Sequence, residues 1–292
     1  MKRCLTILIV LMMLSAACGA FAEDAKFDLP VSLTPGYEPN PACYTADGYE
    51  DESLSVRMEK RRLSDLTVDI AWIKVKSPTQ LRTAIAGTPN SMQEALPGAL
   101  VRAMNAVVAV NGDMYSRRQG MLYRMGVALK QTQSPDKDSL FIDENGDFHV
   151  FLGSDPAEMV EYLKAGHQMI NTFSFGPAMV VDGVVQTIRE DYWFECQTRA
   201  PRIVIAQVDT LSYVFVEAEG RNKVSRGFTM QQMADFMGAL GVRTAYNLDG
   251  GNSAIMFFDR KYYDWHYTDA ERRTSDIVYV CSAVDPATWK DQ

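Results

Sequence analysis

The segment 227–241 constrains the fold more than any other part of this chain, because it carries a complete set of helix signals. Thr229 is a candidate N-cap, and Gln232 follows it at the spacing of a capping box. Apolar residues then recur at i, i+3, i+4 and i+7, which predicts one apolar helical face. Gly241 can adopt the left-handed conformation that ends a helix. The segment therefore predicts a capped amphipathic helix.

A strand-like segment and a glycine turn come next. Residues 242–248 alternate as a strand does and lead into Asp249, which is followed by Gly250 and Gly251. Glycines let a backbone pass close to a ligand, and their amides can face an anion. Asp249 is thus placed as a catalytic carboxylate would be. An Asp-Gly hairpin turn would have the same sequence, so these residues alone leave both interpretations open.

The rest of the chain has short strand patterns with a few helices among them. Alternation begins at residues 67–75, an apolar run at 106–110 indicates a buried strand, and Asn145-Gly146 separates two further short runs. Pro156 stands at the start of another helical segment. These patterns predict an α/β or α+β fold with mixed β-sheets and a few flanking helices, in a single domain over residues 65–285.

The N-terminus has the pattern of an export signal. Lys2 and Arg3 precede an apolar core over residues 5–17, and Ala20-Phe21-Ala22 is a small-x-small cleavage site. We expect residues 1–22 to be a signal peptide and the protein to be secreted or periplasmic. The apolar core is shorter than an ordinary membrane span, and we expect no transmembrane segment after it.

Two further expectations concern this part of the chain. Cys18 leaves a lipid-anchored form open as an alternative to cleavage. Residues 23–64 contain closely spaced prolines followed by an acidic patch, and we predict that they form an extended N-terminal arm.

The charge balance argues against nucleic acid as a partner. The formal net charge is −8 at pH 7. Removal of residues 1–22 takes away two positive charges, Lys2 and Arg3, and no negative ones, so the net charge of the remaining chain becomes −10. Nothing in such a chain would neutralise phosphates along a groove.

Cysteines and histidines do not predict a metal site by their spacing. Three cysteines lie beyond the signal region, which allows at most one disulfide, and the chain has three histidines. These residues are Cys43, Cys196, Cys281, His149, His167 and His266. We therefore expect no cofactor, with a divalent cation such as calcium as the alternative.

Several motifs, taken in order, resemble those of the phosphodiester glycosidase family. They include Asn111-Gly112-Asp113, Pro201-Arg202, Glu219-Gly220-Arg221, Asn247–Ser253 and Arg272-Arg273. The resemblance covers roughly residues 65–283, and bacterial relatives associated with exopolysaccharide genes are the most similar. It implies an exported hydrolase that cleaves a glycosyl (sugar-1-phosphate) phosphodiester in envelope or extracellular glycans.

The matched motifs contain the groups that such a reaction needs. Cleavage at the anomeric carbon usually employs two carboxyl groups, and the fork of arginine binds phosphate oxygens in pairs. From this chemistry we predict Asp249 as nucleophile or general base and Glu219 as its partner acid. Arg202 and Arg273 would hold the phosphate, with Arg272 as the alternative to Arg273.

The same motifs supply candidate substrate-binding residues. Backbone amides of the glycine turn, amide and hydroxyl side chains, and a further cation would contact sugar or phosphate oxygens. The predicted set is Asn111, Gly112, Asp113, Arg221, Gly250, Gly251 and Ser253. Asn111 could equally brace its own loop.

Two alternatives to this enzyme remain at the level of sequence. The first is a non-catalytic glycan-binding or exopolysaccharide-assembly protein on the same scaffold. The second is a metal-assisted phosphodiesterase in which Asp113 and Asp249 bind an oxygen-seeking cation. The partner in each case is a glycan or sugar phosphate.

Overall fold

The computed structural model of the chain describes residues 34–88, 93–114, 120–132, 136–154, 156–264 and 271–289. The predicted signal peptide, its cleavage site and Cys18 lie outside these residues, as does the first part of the predicted arm. No helix in the described ranges is long and apolar enough to cross a membrane.

Within these ranges the chain forms nineteen strands and three α-helices, numbered in chain order. The first part contains β1 (Tyr44–Thr45), β2 (Gly48–Glu50), β3 (Leu54–Leu63), β4 (Leu66–Val75), β5 (Leu81–Ile85), α1 (Pro97–Ala103), β6 (Val108–Asn111), β7 (Met121–Arg124), β8 (Val127–Gln131), β9 (Ser139–Ile142) and β10 (Phe148–Phe151). The second part contains α2 (Pro156–Lys164), β11 (Asn171–Phe173), β12 (Ala178–Val181), β13 (Val184–Val185), β14 (Arg202–Asp209), β15 (Ser212–Ala218), α3 (Met230–Ala239), β16 (Thr244–Asn247), β17 (Met256–Phe258), β18 (Lys261–Tyr262) and β19 (Asp276–Val280).

Two large sheets organise the molecule. One has nine strands in the order β1-β2-β3-β4-β15-β14-β16-β12-β13, and the other has five in the order β18-β17-β6-β19-β5. Smaller sheets are formed by β10-β9-β11 and by β7-β8. Every strand pairing among the described residues is antiparallel. The predicted α+β class with a few helices is confirmed, but the expectation of mixed sheets is not met.

The two large sheets pack face to face over the main core. Ile205 and Phe215 from the nine-stranded sheet share one apolar cluster with Val110, Met256 and Val278 from the five-stranded sheet. Both outer faces are covered by helices: α3 lies on the nine-stranded sheet and α1 on the five-stranded one. The result is a four-layer arrangement of helix, sheet, sheet and helix.

The most constraining segment of the sequence folds as predicted. Thr229 caps α3, and Thr229 and Gln232 form a complete capping box. Met233 and Met237 on the apolar face are fully buried against the sheet. Gly241 follows with a φ of 74°, the left-handed conformation that stops a helix. β16 then runs directly into the Asp249 turn.

Part of the predicted N-terminal arm belongs to the main sheet instead. β3 pairs with β4 over ten residues from Leu54 to Leu63, and β2 pairs with β3. Within residues 44–63 the chain is therefore sheet rather than a separate lead-in. The charged residues of β3, such as Arg61 and Arg62, are on its partly exposed half, which concealed the strand pattern.

Candidate functional site

The Asp249 turn lies at the end of β16, beside the start of β14. Asn247 pairs with Val204, and the Leu248 amide donates to the carbonyl of Ile203 at 2.9 Å. When this antiparallel register is continued by two residues, past the end of β16, Asp249 comes opposite Arg202. Residues directly opposite each other in neighbouring strands point to the same face. The fold thus brings a carboxylate and a guanidinium to one side of the sheet.

Asn111 ties this turn to the five-stranded sheet. Its Nδ2 donates to the carbonyl of Asp249 at 2.7 Å, and its Oδ1 accepts from the amide of Ile255 at 3.1 Å. The Asp249 amide donates to the carbonyl of Gly112 at 3.2 Å. Asn111 is fully buried, so the structure gives it the bracing role rather than a place in the cleft.

The two glycines of the turn allow a close approach to β14. The Gly251 amide donates to the carbonyl of Pro201 at 2.9 Å, and Gly251 has a φ of 61°. A Cβ at Gly250 would lie only 2.7 Å from the same carbonyl oxygen. A larger residue at Gly250 would push the turn away from β14, and at Gly251 it would be strained by the positive φ. The Gly251 amide was predicted to face the substrate but donates instead to Pro201, just before β14.

A cleft of about 570 Å³ opens beside this turn. Three cationic side chains, two carboxylates and three aromatic rings face it, together with small and polar residues. The lining consists of Met114, Phe175, Trp193, Phe194, Glu195, Thr198, Ala200, Arg202, Arg221, Asp249, Gly250, Gly251, Asn252 and Arg272.

Arg202 is the most buried cation of the cleft. Its side chain donates to the carbonyls of Phe228 at 3.1 Å and Thr198 at 2.8 Å. Burial lowers its pKa to about 10, so the guanidinium stays charged at neutral pH. Arg221 is exposed and donates to Oδ1 of Asn252 at 2.8 Å. The cleft therefore combines one fixed cation with more exposed ones.

Three aromatic residues in mutual contact form an aromatic wall of the same cleft. The rings of Phe175, Trp193 and Phe194 lie 4.9–5.3 Å apart, centroid to centroid. Nε1 of Trp193 donates to the carbonyl of Phe175 at 2.8 Å. Trp193, Phe194 and the cleft residue Glu195 belong to the long connection between β13 and β14, whose part in the site we did not predict. The sequence feature that could have predicted it is the run of two aromatic residues and a glutamate, in a segment without strand or helix periodicity.

Glu219, the predicted partner acid, does not line the cleft. It is buried and lies 3.9 Å from Nζ of Lys60, which also contacts Asp69 at 2.9 Å and Asp264 at 2.5 Å. The reason is strand parity. Arg202 pairs with Ala218, and the next residue in an extended chain points to the opposite face. The assignment of Glu219 to the same cleft as Arg202 was wrong.

Two carboxylates beside Glu219 are deeply buried. Burial raises the pKa of Asp69 to about 6, and the nearby Lys60 ammonium opposes this shift. Burial, with the charges of Asp69 and Glu219, raises the pKa of Glu217 well above its ordinary value. These carboxylates thus resist ionisation on the inner face of the sheet.

Arg273 also lies away from the cleft. It is exposed, and its NH1 donates to the carbonyl of Glu94 at 3.0 Å. Its neighbour Arg272 lines the cleft instead. The choice between them was made from the distance to the last strand, which does not fix the side-chain direction.

Asp113 is held in a buried ionic group behind the turn. NH2 of Arg124 lies 2.9 Å from Asp113 and 2.7 Å from Asp276, and Arg124 is 1% exposed. Gly112 permits this arrangement, because a Cβ there would come within 2.2 Å of the Asp276 carboxyl. Asp113 is thus engaged by Arg124 and does not line the cleft.

Ser253 lies one turn further along the chain. It is buried, and its Oγ has no hydrogen-bond partner among the described residues. Of the predicted substrate-binding residues, Arg221, Gly250 and Gly251 line the cleft. The remaining four lie beneath or beside the turn.

Comparison with known proteins identifies relatives of this chain. The sequence model of the phosphodiester glycosidase family matches residues 104–281, more than half of the chain. A 110-residue segment, 38% of the chain, is 28% identical to the SPbeta prophage-derived uncharacterized protein YomE of Bacillus subtilis (strain 168). That segment spans 17% of the Bacillus protein.

Two solved structures share the fold. The catalytic domain of zebrafish N-acetylglucosamine-1-phosphodiester alpha-N-acetylglucosaminidase, auto-inhibited by its pro-peptide, superposes with a TM-score of 0.63 at 15% identity; the match covers 85% of this chain and 87% of that one. A hypothetical protein from Synechocystis gives a TM-score of 0.54 at 15% identity, with 78% and 62% covered. At this level of identity the likeness is one of fold.

Proposed function

The chain belongs to the phosphodiester glycosidase family, and from this premise we propose that it hydrolyses a glycosyl phosphodiester in the cleft beside Asp249. The observation that carries the proposal is the placement of Asp249 opposite Arg202, in a cleft that Arg221 and Arg272 also line. A carboxylate suits an oxocarbenium-like centre, and arginines suit a phosphate.

The phosphate would lie against the arginines. Arg202 is fixed by two backbone carbonyls, so little of its side-chain freedom is lost on binding. Arg221 and Arg272 are exposed at the cleft and can approach the remaining phosphate oxygens. Neutralising the phosphate makes it a better leaving group when the bond to the anomeric carbon breaks.

Asp249 would act at the anomeric carbon as nucleophile or as general base for water. Overall, the anomeric C–O bond breaks, water supplies the new hydroxyl on the sugar, and the phosphate departs as a monoester. Glu195 is the other carboxylate that lines the cleft in the described part of the chain. We assign it the partner role in place of Glu219.

The aromatic wall supplies a surface for the sugar ring. Trp193, Phe175 and Phe194 line the cleft together with its charged residues, and aromatic rings pack against the C–H groups of sugars. The zebrafish enzyme is named for cleaving an N-acetylglucosamine-1-phosphodiester, which is the same class of bond. The proposal specifies this bond class and leaves the sugar to experiment.

The site of action follows from the N-terminal pattern. Residues 1–22 have the charge, apolar core and cleavage motif of a signal peptide. We propose that the mature protein acts outside the cytoplasm on envelope or extracellular glycans.

The test is turnover by the Asp249→Asn variant. The substrates are alkyl phosphodiesters of glucose, galactose, mannose and N-acetylglucosamine, and the readout is release of reducing sugar. We expect the wild type to cleave at least one of them and the variant to lose on the order of 10³-fold or more in kcat, because the reacting carboxylate is gone. Asp209→Asn, at the exposed far end of β14, is the matched control and should keep full activity.

Two outcomes would contradict the proposal. One is near-full activity of Asp249→Asn on a substrate that the wild type cleaves. The other is inactivity of the wild type on the whole panel together with measurable glycan binding, which would favour the non-catalytic alternative. Hydrolysis in ¹⁸O-labelled water adds a check on bond position: the label should enter the sugar and not the phosphate.

A further inference from the structure

A second group of polar side chains lies apart from the cleft, where the β9–β10 turn meets the end of α2. It consists of Asp143, Glu144, His149 and His167. None of these residues lines the cleft. They come from the turn, from β10 and from the segment after α2, so their spacing along the chain does not reveal the group.

Three of the four residues, Asp143, Glu144 and His167, have ligand atoms close to one another, and His149 approaches this set at Asp143. Nε2 of His149 is 3.1 Å from Oδ2 of Asp143, and Nδ1 of His167 is 4.0 Å from the same oxygen. Asp143, Glu144 and His167 each offer one such atom, all within 4.8 Å of one another. Zinc bonds of about 2.0–2.2 Å in a tetrahedron separate neighbouring ligand atoms by roughly 3.3 Å. The separations from Asp143 to the two histidines bracket this value.

The carboxylates are oriented by other hydrogen bonds. Oδ1 of Asp143 accepts from the amides of Asn145 and Asp147, both at 2.9 Å, which turns Oδ2 toward the histidines. Oε2 of Glu144 accepts from the amide of Gln168 at 2.9 Å. Such outer contacts are typical of metal ligands, since they fix the ligand before the metal binds.

Tyr162 on α2 supports the histidine side of the group. Its ring stacks on His167 at 4.4 Å and 12° and lies 4.8 Å from His149. The hydroxyl of Tyr162 is buried without a hydrogen-bond partner among the described residues.

The two histidines leave a route from solvent. Their side chains are 33% and 39% exposed, whereas Asp143 is 2% exposed. A cation could therefore enter from the histidine side and meet a buried carboxylate. Two imidazoles with two carboxylates suit zinc and neighbouring transition metals, whereas calcium and magnesium prefer oxygen ligands alone.

We propose that Asp143, Glu144, His149 and His167 form a binding site for Zn²⁺ or a similar transition-metal ion. The ion would join the β9–β10 turn to the segment that follows α2. Its role would be structural, because His149, whose Nε2 contacts Asp143, would add the fourth ligand to Asp143, Glu144 and His167 and complete a tetrahedral shell. A simple His149–Asp143 hydrogen bond is the competing explanation of the same contacts.

The test uses the full chain after treatment with a chelator and dialysis. Isothermal titration with Zn²⁺ should give one ion per chain, and Co²⁺ should give the intense visible bands of a tetrahedral site. His149→Ala and His167→Ala should each weaken Zn²⁺ binding by on the order of 100-fold, since loss of a ligand costs at least as much as loss of an outer-shell partner. The control is His266→Ala, which removes the remaining histidine and should bind as the wild type does.

Thermal unfolding distinguishes loss of the metal site from misfolding of a variant. Zn²⁺ should raise the Tm of the wild type and of His266→Ala, because an ion bound only to the folded state stabilises it. It should leave the Tm of the His149 and His167 variants unchanged, while circular dichroism shows that they are folded. Absence of Zn²⁺ binding by the wild type, or equal binding by folded His149→Ala and His167→Ala, would overturn the proposal.

Discussion

Asp69 and Glu217 face each other across β4 and β15 on the inner side of the nine-stranded sheet. Both are almost inaccessible to solvent. Asp69 has Lys60 as its counter-charge at 2.9 Å. Because burial raises the pKa of both carboxyls, the folded state holds their protons at pH values where the unfolded chain releases them.

This linkage predicts how the free energy of unfolding changes with pH. The pKa of Asp69 is about 6 in the folded protein and about 3.9 in an unfolded chain. Between these values the native state binds more protons, so its stability falls as pH rises and the loss is complete above the folded pKa. In Asp69→Asn, the decrease in the free energy of unfolding between pH 4 and pH 7 should be smaller than in the wild type by on the order of 2 kcal/mol.

Urea unfolding at both pH values measures this difference. Glu52→Gln, a change at an exposed carboxylate, serves as the control and should leave the wild-type drop intact. An identical drop in Asp69→Asn would show that Asp69 titrates in the folded state as it does in the unfolded chain.

For individual residues, the sequence predicts which chemical groups are present better than it predicts which of them lie in the same cleft. Asp249 and Arg202 share a cleft, whereas Glu219 and Arg273 do not line it. Side-chain direction in a strand reverses with each residue, so it depends on the pairing register. That register is set by pairing between distant segments, such as Val204 with Asn247 across β14 and β16, and the motifs do not contain it.

Among the elements, α3 shows how a local signal specifies both a helix and part of the site. Oγ1 of Thr229 accepts from the Gln232 amide at 3.2 Å, and the Gln232 side chain accepts from the Thr229 amide at 3.0 Å. Just before the cap, the carbonyl of Phe228 accepts from Arg202. The start of the helix therefore lies against the anchoring point of the buried cation.

Removal of the cap should lower stability by a defined amount. We expect Thr229→Ala to reduce the free energy of unfolding by about 1 kcal/mol, because two amides lose their side-chain acceptors or the geometry that held them. Thr229→Ser keeps the hydroxyl and should stay close to the wild type. Urea denaturation midpoints compare the three proteins, and equal midpoints for Ala and wild type would contradict a stabilising cap.

Elements differ in how far they can be predicted, and β3 shows why. The signals of α3 lie within 15 residues, whereas β3 has Arg57, Lys60 and Arg61 among its apolar residues. β2 covers only the first part of β3, which leaves the rest along an open edge. Charged side chains are common at such edges because they discourage pairing with other chains. In this chain the charged residues of β3 masked its strand pattern, and the segment was predicted to be part of the N-terminal arm.

For the whole molecule, β3 decides where the folded unit can begin. It pairs with β4 along its entire length, and its Lys60 faces the buried Asp69. A chain that starts at residue 65, as the predicted boundary suggested, would lose this ladder and leave Asp69 without its cation. Loss of this cation would leave a buried carboxylate uncompensated, which destabilises the folded state.

We therefore expect a chain of residues 65–289 to fail to fold cooperatively, while residues 34–289 fold with a sharp thermal transition. Circular dichroism melting of the two proteins measures this difference. If both chains melt cooperatively at the same temperature, β3 is dispensable and residues 34–64 can be treated as an appendage.

The opposition of Asp249 and Arg202 across neighbouring strands has a practical consequence for engineering. The Leu248 amide joins the turn to β14 through Ile203, and Asn111 holds the carbonyl of Asp249 from the five-stranded sheet, so both large sheets set the position of Asp249. The aromatic wall comes instead from a connection without strand or helix periodicity, which holds Trp193 and Phe194. Libraries that vary only Trp193 and Phe194 would change the preferred sugar, whereas Glu195 and Thr198 in the same connection belong to the charged half of the cleft and must be kept. The aromatic side chains that would contact the sugar can thus be varied without changing the groups that would act on the bond.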